Sequence, residues 1–494
     1  MATLLLCLES LWKGAFGYNI ECLPPFCKRG QYLPPFAKGG QGGLSELALA
    51  ALMRVVHCRK KIGVFVLFCM WFCKSATASD WVDSVSDWLN VKASLVQQLQ
   101  YNDNMTLSST KPVATFGYFL NPSLQAIHTS ESFNISVNAL GNIKRYDNSL
   151  YDCENYTVGL NSQYKTHRSV FKMTGTYGIS CAYSTQAQET GVIIPGIQST
   201  NINLAPTWLW QWTPLSQVNL GVIYTNRSYS SDASSTTGIS STKPTSYQNY
   251  DSYTINLGLN HTWDRDLSLN GGLYFMHSQY LGSTPSTQQS LGLQLGGQYA
   301  ISQHWSANFS AGIRRTEIQS NSAGTSSVPN SSSMSPLGNA SLIYNSNPSM
   351  FSIGYSNTLM PSALGQTLQN QSIFAKYSYR ITPHLLLNLN SMALQSQSIG
   401  GQSTAGTTVG NYNRETFSNT VAVVWEFARN WQLKGSYLYR WQKMQGEASV
   451  ESNTVMLSLN YALDEIEDLD TGRYNIFDNT NAYSGNIENR QPWY

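Results

Sequence analysis

Basic side chains recur at alternating positions of segments that otherwise carry Asn, Gln, Ser, Thr and Gly. Lys92, Lys144, Lys165, Lys172, Arg227, Arg314, Lys376, Arg380, Lys434 and Arg440 all share the polar parity of their segments. Among the acids of those segments, only Glu426 clearly falls on the same side. Cations gathered on one face of a wall raise the local concentration of anions and lower the barrier to their passage. Side chains that merely solvate a packed interior, or hold loop backbone, would give the same pattern. Catalysis is expected to be absent. Acyl hydrolysis requires a nucleophile with a His base, and a proteolytic site requires His with carboxylates. His128, His167, His261, His304 and His384 all lie near tight turns, and His277 approaches the opposite rim with no obvious acid beside it. No His/Cys spacing suits a metal, and no cofactor is expected.

The elements that position these residues are strands. In NWQLKGSYLYRWQ, Trp431, Leu433, Gly435, Tyr437, Tyr439 and Trp441 alternate with Gln432, Lys434, Ser436, Leu438, Arg440 and Gln442. Period two marks a strand with one apolar and one polar face. Eighteen such segments run from 91–101 to 452–463, and sixteen would form the wall if the first hairpin lay outside it. Many are 11–15 residues long, enough for a tilted membrane-crossing strand of about 9–11 residues. Every second connection is tight, as in WTPLS, WDRD and ISQH, and the others are long and rich in Ser, Thr, Asn and Gly. The expected fold is therefore all-β: a transmembrane antiparallel up-and-down barrel of about 18 strands over 91–463, with short periplasmic turns and long extracellular loops. In lipid, unpaired backbone groups are costly, so the sheet must close. Trp212, Trp263, Trp305 and Trp431, beside tight turns, suit an interfacial girdle.

Composition agrees. Only 12% of the 494 residues are charged, about half the usual share for a soluble domain. A secreted β-sandwich or solenoid would need more Lys and Glu on its outward polar face. The segment from Met53 reads as a secretory signal peptide (53–78): MRVVHCRKK, then the apolar IGVFVLFCMWFC, then Ala76-Thr77-Ala78. Residues 1–52, with the repeat LPPFCKRGQYLPPFAKGG, are expected to be a non-native upstream extension. After the signal peptide the balance is mildly acidic, with no footprint for nucleic acid. A short amphipathic periplasmic helix is expected at 79–90, from Trp81, Val85, Trp88 and Leu89.

Cys153 and Cys181 end two adjacent strands joined at His167-Arg168. A two-residue turn there leaves them one step out of register and on opposite faces. A disulfide would need a bulge or bend, in an oxidising compartment.

LVQQLQYNDNMTLSS (95–109), followed by FGYFLNPSLQ (116–125), resembles the opening of the type 2 β-barrel porin group. That group overlaps outer-membrane barrels associated with exopolysaccharide and PEP-CTERM systems. The carrying elements are Tyr101-Asn102-Asp103-Asn104, the Pro-Ser-Leu strand, and SVFKMTGTYGIS with AQETG (169–191). The resemblance implies an outer-membrane barrel linked to polysaccharide export, and it brings no catalytic residues. The chain departs from common barrels in its end. After the last strand comes an acidic, polar periplasmic tail (464–494) opening with DEIEDLD, which could dock in a basic lumen as a plug. The expected function is porin-like passage of small or anionic solutes across a Gram-negative outer membrane. The alternative is a non-conducting accessory barrel that binds a partner through its long loops. Expected partners are outer-membrane lipid, the barrel-insertion machinery, and polysaccharide or export components.

Overall fold

The computed structural model describes residues 89–181, 183, 195–231, 247–281, 285–320, 331–362, 367–399 and 413–463. The upstream extension, the signal peptide, nearly all of the expected helix and the acidic tail lie outside these residues. Asn90, the last residue of that expected helix, instead opens the first strand.

Period-two alternation gives eighteen strands in chain order: β1 Asn90–Asn102, β2 Thr115–Thr129, β3 Phe133–Tyr146, β4 Cys153–Lys165, β5 Ser169–Cys181, β6 Ile197–Thr213, β7 Ser216–Ser231, β8 Asn249–Thr262 and β9 Leu267–Leu281 continue as β10 Ser286–Ala300, β11 Trp305–Ser320, β12 Ser331–Ser346, β13 Ser349–Pro361, β14 Thr367–Thr382, β15 Leu385–Ile399, β16 Asn413–Ala428, β17 Trp431–Met444 and β18 Val450–Ala462. Each pairs antiparallel with its sequence neighbours, and β1 pairs with both β2 and β18. The sheet is a closed 18-stranded barrel, and the first hairpin is part of its wall. Followed once round the wall, the paired registers advance by roughly 22 residues, which tilts the strands by about 40°.

Cross-strand partners share a face, so one parity holds across the wall. The register shifts at Gln211/Thr213, Arg380/Thr382 and Glu426/Ala428 all fall at the short-turn end. The outward face exposes Tyr253, Ile255, Leu257 and Leu259 on β8, and Leu291, Leu293 and Leu295 on β10, with Leu295 63% exposed. From Tyr253 to Trp263 this band is about 25 Å tall, the height of a hydrocarbon slab. Trp212 and Trp263 stand exposed at its short-turn edge, and Phe171, Trp208 and Trp210 stack there at 6.2 Å spacing. At the long-loop edge, outward charges pair: Arg145 with Glu154, and Arg315 with Glu317 at 2.7 Å.

The seam between β1 and β18 is the only neighbouring pair in the wall not joined by a chain connection. Its ladder runs from Ser94↔Ala462 to Asn102↔Thr454. At its long-loop end, Asp103 Oδ1 accepts from the Asn453 backbone N–H and Oδ2 from Asn453 Nδ2, both at 2.7 Å. Ser452 Oγ donates to Asn102 Oδ1 at 3.0 Å, and Asn104 Nδ2 donates to the Glu451 carbonyl at 3.0 Å. The Asn102-Asp103-Asn104 run thus fastens the first loop onto the last strand. At the other end, Asn430 Nδ2 donates to the carbonyls of Ala462 and Leu463.

Candidate functional site

Register places the sequence-nominated cations on the inner face. Lys172 pairs with Gln163 and Thr207, Arg227 with Asn201 and Tyr250, and Arg314 with Gly292 and Ser335. Lys376 lies between Ser352 and Asn390, Arg380 opposite Leu386, Lys434 between Val424 and Ser458, and Arg440 between Ser418 and Ser452. Strand tilt then sorts them into tiers. Lys144, Arg227, Arg314 and Arg440 lie at one level near the long loops, Lys376 and Lys434 near mid-height, and Lys92, Lys165, Lys172 and Arg380 near the short turns. Glu426 belongs to the lowest tier, where its carboxylate lies 4.0 Å from His384 Nδ1.

The tiers differ in surroundings. Near the long loops, Arg227 is 7% exposed and Arg314 2%, among buried Tyr250, Tyr280, Met276 and Leu368. Arg314 Nε donates to Ser335 Oγ at 2.9 Å, and Lys144 Nζ stands 5.4 Å from the Phe119 ring centroid. Lys165, near the short turns, and Lys434, near mid-height, are exposed. The long-loop end of the lumen is therefore packed around its arginines, and towards the short turns Leu386 and Val424 are buried on the same inner face. Sequence reasoning missed Arg414, which is 1% exposed and faces inward on β16, four pairs along from the Arg440–Ser418 pair. Its parity was readable, but it sits at the strand's first turn, where the alternation has barely begun.

Cys153 and Cys181 are joined by a disulfide with Cα atoms 6.0 Å apart. The register obstacle is real, because the β4–β5 ladder stops at Tyr156↔Ile179. Beyond it the strands part, and Asn155 Oδ1 accepts the freed Cys181 N–H at 2.8 Å. The bond is part of an apolar cap formed by Met105, Leu107, Tyr151, Tyr183 and Val450. Burial pushes the Tyr183 phenol up to about 12.

His277 pairs with Tyr253 and Gln289 on the outward parity, away from the lumen. Among the described residues, no group of three His, Cys, Asp or Glu side chains could hold a metal.

A closed barrel with an apolar outer band, an aromatic edge and a polar, cationic inside is of the outer-membrane porin type. No protein-family model matches the chain, and no curated protein does. Among solved structures, it resembles the unliganded ferric citrate transporter FecA, with a TM-score of 0.44 at 11% identity, over 72% of this chain and 60% of that one. The porins OpdO and OpdK of Pseudomonas aeruginosa, the latter solved with vanillate, give TM-scores of 0.40 and 0.39 at 9% and 12% identity. Each covers 76% of this chain and is itself covered over 98%. The chain thus spans about 60% of the length of the ferric citrate transporter. These are likenesses of barrel fold, and the class is carried by the chain's own wall.

Proposed function

We propose that the protein is an outer-membrane pore for small anionic solutes, with acidic saccharides as the preferred class and a link to polysaccharide export. The observation that carries this reading is the inner face, where cations in three tiers meet the single strand acid Glu426 among the described residues. In a lumen with low-dielectric walls, such an excess draws anions in and repels cations. The outward band supports lipid contact, and the seam is closed as a bilayer demands. The test is single-channel conductance and ion selectivity of the folded chain in a planar bilayer. Steady anion-selective current is expected, whereas cation selectivity would overturn the reading.

The packed long-loop end favours a second reading, an accessory barrel that binds a partner and conducts little. A silent bilayer with demonstrably folded protein would favour that alternative. Exchange of the long loops separates the two, since a pore keeps its current and a binder loses its partner.

A further inference from the structure

The β12–β13 hairpin is zipped from its turn only part of the way up. Its ladder runs from Ser346↔Ser349 to Gly338↔Asn357 and stops there. Continued one step at a time, the register would pair Leu337 with Thr358, Pro336 with Leu359, Ser335 with Met360 and Met334 with Pro361, and none of these pairs forms. Both strands stay extended, because each keeps its other neighbour: β12 pairs with β11 up to Ile318↔Ser331, and β13 with β14 up to Pro361↔Thr367. The wall therefore parts between 331–337 and 358–361. Pro336 stands opposite Ile313 of the apolar band, and Met334 opposite Arg315 of the charged long-loop edge. The parting thus crosses the boundary of the hydrocarbon on that side.

Prolines hold it apart. Pro336 turns its carbonyl towards β13, where Asn357 Nδ2 donates to it at 3.1 Å. In an antiparallel strand the N–H and C=O of one residue point the same way. The N–H that Pro336 lacks is therefore one that β13 would have needed. By the same alternation Leu359 and Pro361 face β12, so Pro361 withholds a second donor from the same parting. Proline on a strand edge blocks pairing. At the fork, Asn357 is 6% exposed despite its outward parity, and its Oδ1 accepts from Gln369 Nε2 on β14 at 3.1 Å. Above the fork β14 leans inward: Thr367 Oγ1 donates to Gln288 Oε1 on β10, although β11, β12 and β13 stand between them in the wall.

We propose that this parting is a lateral opening, through which an amphiphile of one hydrocarbon chain and a hydroxyl-bearing head passes between the lumen and the surrounding lipid. The lips suit both parts of such a molecule. Met334 and Leu359 have outward parity, and Leu337 and Met360 inward parity, so apolar side chains line the parting through the thickness of the wall. Met334, 70% exposed, stands on the lipid side. With two N–H groups removed, the facing edges keep more carbonyls than donors, and hydroxyls donate to carbonyls. Unpaired backbone is costly in lipid, and such a head supplies it with a passing partner. The inference goes beyond passage along the barrel axis and does not require anion selectivity.

The test is photolabelling of the folded full chain in phosphatidylcholine vesicles, with a trace of dodecyl maltoside that carries a diazirine in its alkyl chain. Labelled residues are mapped by peptide mass spectrometry. Label is expected on inward Leu337 and Met360 as well as on outward Met334, and little on Leu140, which faces inward on β3. Pro336→Val combined with Pro361→Val restores both donors, and should cut inward label at Leu337 and Met360 about fivefold while Met334 keeps its label. Should that variant fail to fold, Asn357→Ala decides, since it unfastens the fork and should raise inward label about twofold. Absence of inward label in the wild type overturns the opening, as does equal label at Leu140, which would mean entry along the axis. Inward label unmoved by the proline changes, or by Asn357→Ala where that variant decides, overturns it too. Conductance is a separate readout. Anion current without inward label sinks the opening and keeps the pore, and inward label with a silent bilayer does the reverse.

Discussion

Replacing Asp103 with Ala should loosen the barrel at its seam. The carboxylate holds two donors of Asn453, the backbone N–H and the side-chain amide, each at 2.7 Å. A hydrogen bond to a charged group contributes roughly 1.5–3 kcal/mol, and the value falls where water can substitute. The site is only part-buried, so about 2 kcal/mol for both bonds together is the reasonable figure. That corresponds to roughly a 30-fold change in the folded-to-unfolded ratio. The β1–β18 ladder itself remains, from Ser94↔Ala462 to Asn102↔Thr454, so the variant should still fold. Urea unfolding of the protein in lipid vesicles, followed by tryptophan fluorescence, measures the loss. Asn453→Ala and the double variant complete a cycle, and the double variant should lose little beyond either single change. A change under about 0.5 kcal/mol for Asp103→Ala would refute the argument that this motif latches the seam.

Three further outcomes are expected. Charge reversal at Lys376 and Lys434, together at mid-height, should cut the anion-to-cation permeability ratio several-fold, as read from reversal potentials under a salt gradient; an unmoved ratio would place the filter elsewhere. Cys153→Ser or Cys181→Ser opens a bridge across a sequence separation of 28, and should destabilise the protein by about 2–4 kcal/mol in urea unfolding, leaving no mobility difference on reduction. Deletion of 464–494 should raise conductance if the acidic run docks in the lumen, and an unchanged current would count against a plug.

The wall was legible in the sequence because a barrel strand answers to a single rule, alternate residues to lipid and to lumen. Segments such as YTINLGLNHTW announce both faces in a few residues. Parity also gave the inward direction of Arg314, Lys376 and Lys434, since it survives any error in strand ends. What parity cannot give is height and depth. The alignment of Lys144, Arg227, Arg314 and Arg440 at one level arises from eighteen accumulated registers, none fixed by local composition. The cysteines show the same limit, because Asn155 relieves the register conflict through a side-chain bond that strand pairing does not encode.

The uneven ends of the lumen have an electrical consequence. Lys144, Arg227, Arg314 and Arg440 share one level near the long loops, whereas the tier near the short turns sets Glu426 among its cations. An ion driven one way meets the denser positive charge first, and driven the other way it meets it last. A channel charged in that way is a rectifier: its current at opposite voltages of equal size is unequal. The sign of the asymmetry then reports which way the barrel has inserted.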